Sequence, residues 1–444
     1  MKRFRGGVHP HSEKVSGGKR IENAVLPPKV IIPLQQHIGA PAQPIVEVGA
    51  EVKKGQKIGE AGGFVSSMIH ASVSGKVTEI SDYLYPNPLG RTSLSVVIES
   101  GGEDEWSEDV KPVDDVESLG NQRILDIVRE AGIVGMGGAT FPTNVKLSIP
   151  EGKEIDTIIL NGVECEPYMT PDHRIMVEEP EKIVDGLKFI MKITNVSRGY
   201  IGIEMNKPDA IQAMQEATKD EPNIQVSPLK VKYPQGWENM LIKAALDREV
   251  PPGALPLEVG VVVCNVGTAA AISDAVRLGQ PLIERAVSVT GPGITEPKNL
   301  RVRIGTPFSD LIEQCGGLKG KTGKVIAGGP MMGFAMFDVN VPVVKGTTNI
   351  LIFSDKDAEI GESRSCIKCG RCVDVCPVGL MPTMIASLSA KGRFEDTEAY
   401  FPLDCKECGC CAYVCPAKIP LVQLIQFAKA DIMARQRAAR AASK

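Results

Sequence analysis

Aromatic side chains are scarce in this chain. They make up 5% of its 444 residues, with only two Trp. Its cores must therefore be built from aliphatic residues, which the 43% hydrophobic share can supply for two to four domains. A surplus of one charge is also missing. The net charge of −4 gives no general electrostatic footprint for nucleic acid. No run reaches the roughly 18–20 consecutive apolar residues that span a bilayer. The longest candidate, Leu421 to Met433, is interrupted by Gln, Lys and Asp. The opening Met1-Lys-Arg-Phe-Arg is basic, but no apolar stretch follows it. A secretory leader is therefore not expected, the thiols belong in a reducing compartment, and disulfides are disfavoured. Histidines number five, and His9 and His11 around Pro10 read as a turn.

Against these absences stand twelve cysteines, most of them in two runs. The first is Cys366-Ile-Lys-Cys369-Gly-Arg-Cys372-Val-Asp-Val-Cys376-Pro377, and the second is Cys405-Lys-Glu-Cys408-Gly-Cys-Cys411-Ala-Tyr-Val-Cys415-Pro416. Both read C-x₂-C-x₂-C-x₃-C-P, the bacterial pattern for two [4Fe–4S] clusters, in which the fourth Cys of each run serves the other cluster. Cys366, Cys369, Cys372 and Cys415 are assigned to one cluster; Cys405, Cys408, Cys411 and Cys376 take the other. Cys410 is surplus. A pair of zinc knuckles would use thiols in twos and fits this spacing poorly. The expected chemistry is single-electron transfer.

Residues 1–27 lack periodicity and read as an extended arm. Residues 28–101 show short Gly-punctuated alternation, the mark of an all-β module. The phrase V-K-K-G-Q-K-I-G … H-A-S-V-S-G-K-V resembles the barrel-sandwich hybrid of biotinyl and lipoyl carriers, but the turn Phe64-Val-Ser-Ser-Met68 has no carrier Lys. Glu103 to Glu117 reads as an acidic linker. Residues 117–284 alternate strand and helix patterns, which implies a parallel sheet with helices on its faces. Helix patterns cover Ile124 to Ala131, Gly186 to Ile193, Pro208 to Ala217 and Ala269 to Leu278; strand patterns cover Asp156 to Leu160, Gly199 to Ile203 and Val259 to Cys264. Residues 285–345 suggest a small ββαβ module of β-grasp (SLBB-like) type. A polar link follows from Phe353 to Ser365. The α-helical two-cluster ferredoxin domain occupies 356–430. A basic tail, 431–444, carries Arg435, Arg437, Arg440 and Lys444 and reads as a frayed end. The fold class expected is multidomain α/β plus β.

Gly132-Ile-Val-Gly135-Met-Gly137-Gly138-Ala-Thr140-Phe-Pro-Thr143-Asn-Val-Lys146 is the second strong signal. Clustered glycines let backbone N–H groups approach an anion, and a following Lys can neutralise phosphate. It lacks the ending of a P-loop and does not follow a strand as a Rossmann loop does.

This loop resembles the flavin and nicotinamide loop of the FMN-bearing, NADH-oxidising subunit of respiratory complex I. Three further segments follow in that family's order. They are Asn161-Gly-Val-Glu164-Cys-Glu166-Pro-Tyr168, Tyr233-Pro-Gln-Gly236-Trp-Glu238 and Cys264-Asn265-Val266-Gly-Thr268. The whole chain, from Gly6-Gly7-Val-His9-Pro through Gly328-Gly-Pro-Met-Met-Gly333 to the cysteine runs, is similar to the C subunits of Rnf (Rsx) complexes. That resemblance implies a peripheral electron-transfer subunit on the cytoplasmic face of a membrane, within an ion-translocating ferredoxin:NAD⁺ oxidoreductase. It implies two [4Fe–4S] clusters, non-covalent FMN and NAD(H) as substrate. The partners implied are the complex's membrane subunits, its ferredoxin-type subunit and ferredoxin as ultimate donor. Nucleic acid is not expected as a partner, nor is a membrane-spanning segment of the chain itself.

Carried over residue by residue, the resemblance places Gly135, Gly137, Gly138 and Lys146 at flavin or phosphate. It places Asn161, Asn265 and Thr268 in the cofactor pocket, with Glu164, Glu166 and Glu238 as its catalytic carboxylates. This sequence departs from the complex I pattern. Met136 replaces an Arg, Gly-Trp-Glu replaces G-E-E, and N-N-V-E-T has lost its Glu. Two other functions are compatible with the plan. One is a cobalamin reductase of diol-utilising organelles, and the other is an electron-transfer adaptor with an idle nucleotide pocket.

Overall fold

A computed structural model describes residues 4–442. The β-rich N-terminal module is two small sheets packed face to face. One orders Lys29–Pro33, Thr92–Ser100, Gly75–Leu84 and Glu51–Val52; the other orders Gln43–Pro44, Lys57–Glu60 and Ile69–His70. Val30, Ile32, Ile58, Ile69, Val77, Val96 and Ile98 fill the space between them, so aliphatic β-branched residues supply this core.

The segment read as an acidic linker is instead a strap. Lys54 Nζ donates to Asp104 Oδ2 at 2.6 Å, and so does Arg303 Nη2 at 2.6 Å. Lys54 also lies over the Trp106 ring, 4.5 Å from its centroid. Ion pairs across modules leave no periodic trace, which is why the sequence pattern reads as a linker.

The central domain has a four-stranded parallel sheet in the order Ile224–Leu229, Gly199–Glu204, Thr157–Gly162, Val261–Asn265. Helices Asn121–Glu130, Pro180–Thr194 and Val266–Leu278 pack together against it. Gly186 lets the second of these close on the third, because a Cβ there would run into the carbonyl of Ala269. The helix expected at Gly186 to Ile193 thus begins six residues earlier, with Pro180 at its first turn.

The following module is a six-stranded mixed sheet, larger than the ββαβ unit expected. Its order is Ile21–Asn23, Lys298–Arg303, Glu284–Thr290, Asn349–Ser354, Thr322–Ala327, Phe334–Met336, with helix Phe308–Gln314 on one side. Two strands come from outside the expected span. Ile21–Asn23, from the arm, pairs in parallel with Asn299–Arg301. Asn349–Ser354 inserts between two other strands, so Phe353 and Ser354 belong to the sheet rather than to a link.

In the C-terminal domain, short helices Arg371–Asp374 and Cys410–Tyr413 follow the two cysteine turns. Helices Pro382–Ser389 and Leu421–Ala442 pack around Ile385, Ile425 and Ala428. The basic tail is not frayed within the described residues. It continues the last helix, and Arg435 pairs with Asp431 at 2.7 Å and with Glu398 at 2.8 Å. An i,i+4 Asp–Arg pair of this kind supports helix where composition alone suggests an end. Lys444 lies outside the described residues.

Candidate redox site

The glycine-rich loop leaves helix Asn121–Glu130 at Gly132 and folds back on itself. Gly135 N–H donates to Phe141 O at 2.9 Å, and Thr140 N–H donates to Gly135 O at 3.1 Å. The loop is fastened to its surroundings at Met136. Met136 N–H donates to Thr268 Oγ1 at 2.9 Å, and the buried Arg285 donates to Met136 O at 3.1 Å. Gly138 has φ +105° and faces open space, so glycine is needed there for the backbone angle rather than for room.

Beneath the loop lies the start of helix Val266–Leu278. Asn265 caps it, accepting from Gly267 N–H at 2.9 Å and Thr268 N–H at 3.3 Å. A Cβ added at Gly137 would meet Asn265 Cβ at 3.4 Å, so the loop sits directly on this cap. Asn265 is the register partner of Asn161 on the neighbouring strand. Asn265 ends its strand and Asn161 is last but one in its own, at the carboxyl edge where open α/β sheets bind ligands.

The structure spreads the other expected residues along that edge. Asn161 Nδ2 donates to Gly236 O at 2.7 Å, pinning the Tyr233–Trp237 segment to the sheet. Lys146 Nζ donates to Val263 O at 3.0 Å and lies 4.0 Å from Glu238 Oε2, both side chains being about one-third exposed. Glu164 stands at φ +46°, in the left-handed region, and its side chain is buried. Its Oε1 accepts from Asp172 N–H at 2.8 Å, whereas Oε2 is buried with no hydrogen-bond partner.

Glu166 turns the other way. It accepts from Met331 N–H at 3.1 Å, Met332 N–H at 2.9 Å and the Tyr233 hydroxyl at 3.2 Å. Burial outweighs these donors and pushes its carboxyl up to about 7. The Glu166 carboxyl group therefore holds the Gly328–Gly333 loop against the central domain.

Several residues of this region have no sequence signal. Lys14, from the N-terminal arm, donates to the carbonyls of Glu164, Glu166 and Met169 at 2.9, 2.8 and 2.6 Å. Burial lowers its ammonium to about 8. Lys207 Nζ donates to Val163 O at 2.8 Å. Asp172 Oδ2 accepts from Asn265 Nδ2 at 2.7 Å. Thr170-Pro-Asp172 reads in the sequence only as a helix start.

The cysteine runs have matching backbones. Lys368 and Glu407 take φ +57° and +55°; Gly370 and Gly409 take +77° and +78°. In each run an N–H two residues on points at the first sulfur. Lys368 N–H lies 3.4 Å from Cys366 Sγ, and Glu407 N–H lies 3.4 Å from Cys405 Sγ. The thiols of Cys405, Cys408 and Cys411 share one electrostatic neighbourhood with Cys376, and Cys372 shares another with Cys366 and Cys415. A shallow cleft is lined by Cys376, Cys405, Cys408 and Cys411, among other residues. This crossed donor set has the chemistry of a pair of iron–sulfur cages, although among the described residues no three such side chains are drawn together closely enough to hold a metal ion. At the other site, the open space beside Gly138 and the buried Glu164 Oε2, which has no hydrogen bond but lies 3.9 Å from Lys14 Nζ, are the features a polar planar cofactor would use.

The two sites meet at a junction. Val8, Tyr233 and Cys410 form one buried apolar cluster, with Cys165, Met331 and Cys408 packed on it. Gly409 lies under the carbonyl of Met331.

Four protein families match the chain in sequence order. They are the RnfC barrel sandwich hybrid domain at residues 2–103, the Nuo51 FMN-binding domain at 128–274, the SLBB domain at 286–335 and a 4Fe-4S dicluster domain at 365–419. The C subunit of the proton-translocating ferredoxin:NAD(+) oxidoreductase complex of Clostridium ljungdahlii is 52% identical, over 97% of this chain and 94% of that protein. The C subunit of the Na(+)-translocating complex of Acetobacterium woodii is 48% identical over 98% of each. Its counterpart in the ion-translocating oxidoreductase complex of Rhodobacter capsulatus is 43% identical, over 98% of this chain and 84% of that protein. An NAD⁺-reducing [NiFe]-hydrogenase in the H₂-reduced state shares the fold, with TM-score 0.52 and 17% identity over 72% of this chain and 65% of that one. Among the described residues, no helix is long and apolar enough to cross a membrane. With barrel-sandwich, FMN-binding, SLBB and dicluster modules in this order, and near-full-length identity to these relatives, the chain belongs to the family of C subunits of ion-translocating ferredoxin:NAD⁺ oxidoreductase (Rnf) complexes.

Proposed function

We propose that this chain exchanges hydride with NAD(H) at an FMN site in its central domain and relays single electrons through two [4Fe–4S] clusters. In this reading it works as a peripheral subunit on the cytoplasmic face of the membrane, with ferredoxin as ultimate electron donor and the membrane subunits of the complex as neighbours. The observation that carries the reading is the junction of Tyr233, Met331 and Cys408, which joins the acidic loop directly to the second cysteine run. FMN, when bound, supplies conversion between a two-electron hydride and single electrons, which a lone cluster cannot do.

The chain's own residues do the rest. Gly135 N–H closes the loop on Phe141 O, which leaves the loop N–H groups at Gly137 and Gly138, backed by the helix that starts at Asn265 and Thr268, to favour negative charge. Lys146 adds a cation at the sheet edge, and Asn161 fixes the segment carrying Glu238. Glu164 offers a buried acceptor oxygen. Glu166 acts through Tyr233 and the Gly328–Gly333 loop, holding the outlet in place. Cys366, Cys369, Cys372 and Cys415 hold one cluster, and Cys376, Cys405, Cys408 and Cys411 hold the other.

Anaerobic reconstitution tests this. The loaded chain should hold about eight irons, bind FMN and reduce a viologen dye with NADH. Full clusters and FMN without NADH-dependent reduction would overturn it. The adaptor reading draws on Lys146 and Glu166 being engaged by protein groups. Titration of the flavin absorbance with NADH separates the two, since an adaptor leaves the flavin oxidised.

A further inference from the structure

We propose that Arg285 is a positioning residue of the flavin site: its buried guanidinium turns the Met136–Gly137 peptide so that Gly137 N–H faces the cofactor's phosphate, and its own charge is matched by that phosphate. This rests on the glycine-loop reading of the flavin site.

The orientation follows from the peptide bond. Arg285 Nη2 donates to Met136 O at 3.1 Å. In a planar trans peptide the carbonyl oxygen and the next N–H point opposite ways. Holding Met136 O toward the guanidinium therefore aims Gly137 N–H away from it. The preceding peptide is fixed too: Gly135 O accepts from Thr140 N–H at 3.1 Å, and Met136 N–H donates to Thr268 Oγ1 at 2.9 Å. Among the described residues, neither Gly137 N–H nor Gly138 N–H donates to a protein acceptor, and a Cβ on Gly138 would meet nothing. Successive free N–H groups in a turn form an anion-binding concavity.

The charge behind that peptide is unmatched. Arg285 is 3% exposed, and its other donors go to Lys345 O and to Ala286 O at 3.3 Å. Lys345, 1% exposed, holds the base of the same loop, its Nζ donating to Gly132 O at 2.6 Å and Met68 O at 2.7 Å. Both cations thus bond only carbonyls. The acids around them are engaged elsewhere. Asp172, whose charge Arg285 feels, accepts from Asn265 Nδ2 at 2.7 Å. Glu179 and Glu284 pair with Arg301, and Asp274 pairs with Lys182. Burial lowers the guanidinium only to about 10, so it stays charged at neutral pH. A buried charge without a counter-ion is costly. An anion seated across the Met136–Gly137 peptide supplies one. Arg285 belongs to strand Glu284–Thr290 of the next module, far from the glycine loop in sequence.

The experiment uses the full chain with both clusters reconstituted and compares FMN with riboflavin, which lacks only the phosphate. Affinities are read by fluorescence quenching. Wild type should bind FMN at least about tenfold more tightly than riboflavin. Arg285→Met keeps an apolar stem and loses the charge. It should lose most of the preference for FMN while its riboflavin affinity changes little. A variant that keeps the preference overturns the proposal, even with both flavins weakened alike, as a purely structural role would give. A second readout needs no variant. In wild type, FMN should slow amide exchange across Gly137 and Gly138 several-fold more than saturating riboflavin does. Equal protection by the two flavins overturns the proposal, whether or not Arg285→Met folds. Wild type that binds neither flavin overturns the flavin-site reading and this proposal with it, whereas binding of both without preference overturns this proposal alone.

Discussion

The two cysteine runs share a backbone and differ in their surroundings. Positive φ angles recur at equivalent positions, down to Gly379 at +71° and Lys418 at +54°. Yet Cys366 and Cys369 are exposed, whereas their counterparts Cys405 and Cys408 are half-buried. A Cβ on Gly370 would meet nothing, but one on Gly409 would lie 2.8 Å from Met331 O. The sulfurs follow suit. Hydrogen bonds from Lys368 N–H and Thr383 pull the Cys366 thiol down, while burial pushes the Cys405 thiol up to about 11. Local sequence thus encodes the cage, and tertiary packing decides that one half is docked and the other open to solvent.

Replacing ligands should break this comparison most severely. Cys369→Ala and Cys408→Ala should each lose roughly half of the irons, measured by metal analysis. FMN binding should survive in both. Only the Cys408 variant should speed amide exchange at Met331 and Met332. Loss of flavin from both would show that the halves are not separable.

Glycine substitutions come next. Gly370→Ala and Gly409→Ala both place a side chain at positive φ, costing about 1 kcal/mol. Gly409→Ala also strikes the Met331 carbonyl, adding about 1–3 kcal/mol of overpacking. Thermal unfolding of the two variants isolates the docking contact as their difference.

A pH series sharpens the contrast further. Glu166 is raised above the usual carboxyl value of 4.5 to about 7. Its contribution to stability is therefore fully present below pH 4.5 and is lost as pH rises through about 7. Protease nicking near Met331 should increase over that interval in wild type and stay flat in Glu166→Gln. The Cys366–Cys372 turn should show no matching change.

The smallest effect belongs to Lys429, which donates to Cys405 O at 2.9 Å and pairs with Glu407. Lys429→Ala should destabilise the second half by about 0.5–1 kcal/mol. Added salt should shrink that loss.

What the sequence makes legible follows from range. Short-range spacing carries the cluster ligands, the glycine loop and the alternation of the central domain, because each depends on residues within a few positions. Pro208–Ala217 is read to the residue. The strap at Asp104, the added strands Ile21–Asn23 and Asn349–Ser354, and the continuation of the last helix depend on distant partners and leave no periodic trace. The same holds in the site. Glu164 is visible as part of a resemblance, but its buried oxygen is not. Lys14 and Asp172 become meaningful only once the arm and a helix start converge on the same loop.

The N-terminal arm has a consequence for how the molecule is assembled. Gly7 N–H donates to Val375 O at 2.8 Å, Val8 pairs with Tyr233, and Lys14 plugs the acidic loop. Its outermost contacts cannot form until nearly the whole chain has left the ribosome. Closing so long a loop is entropically slow and comes late. The first residues synthesised are thus among the last to dock, and they seat against Cys376. Docking of the arm closes a latch over the end of the first cysteine run, beside Cys376, and ties the start of the chain to its last domain.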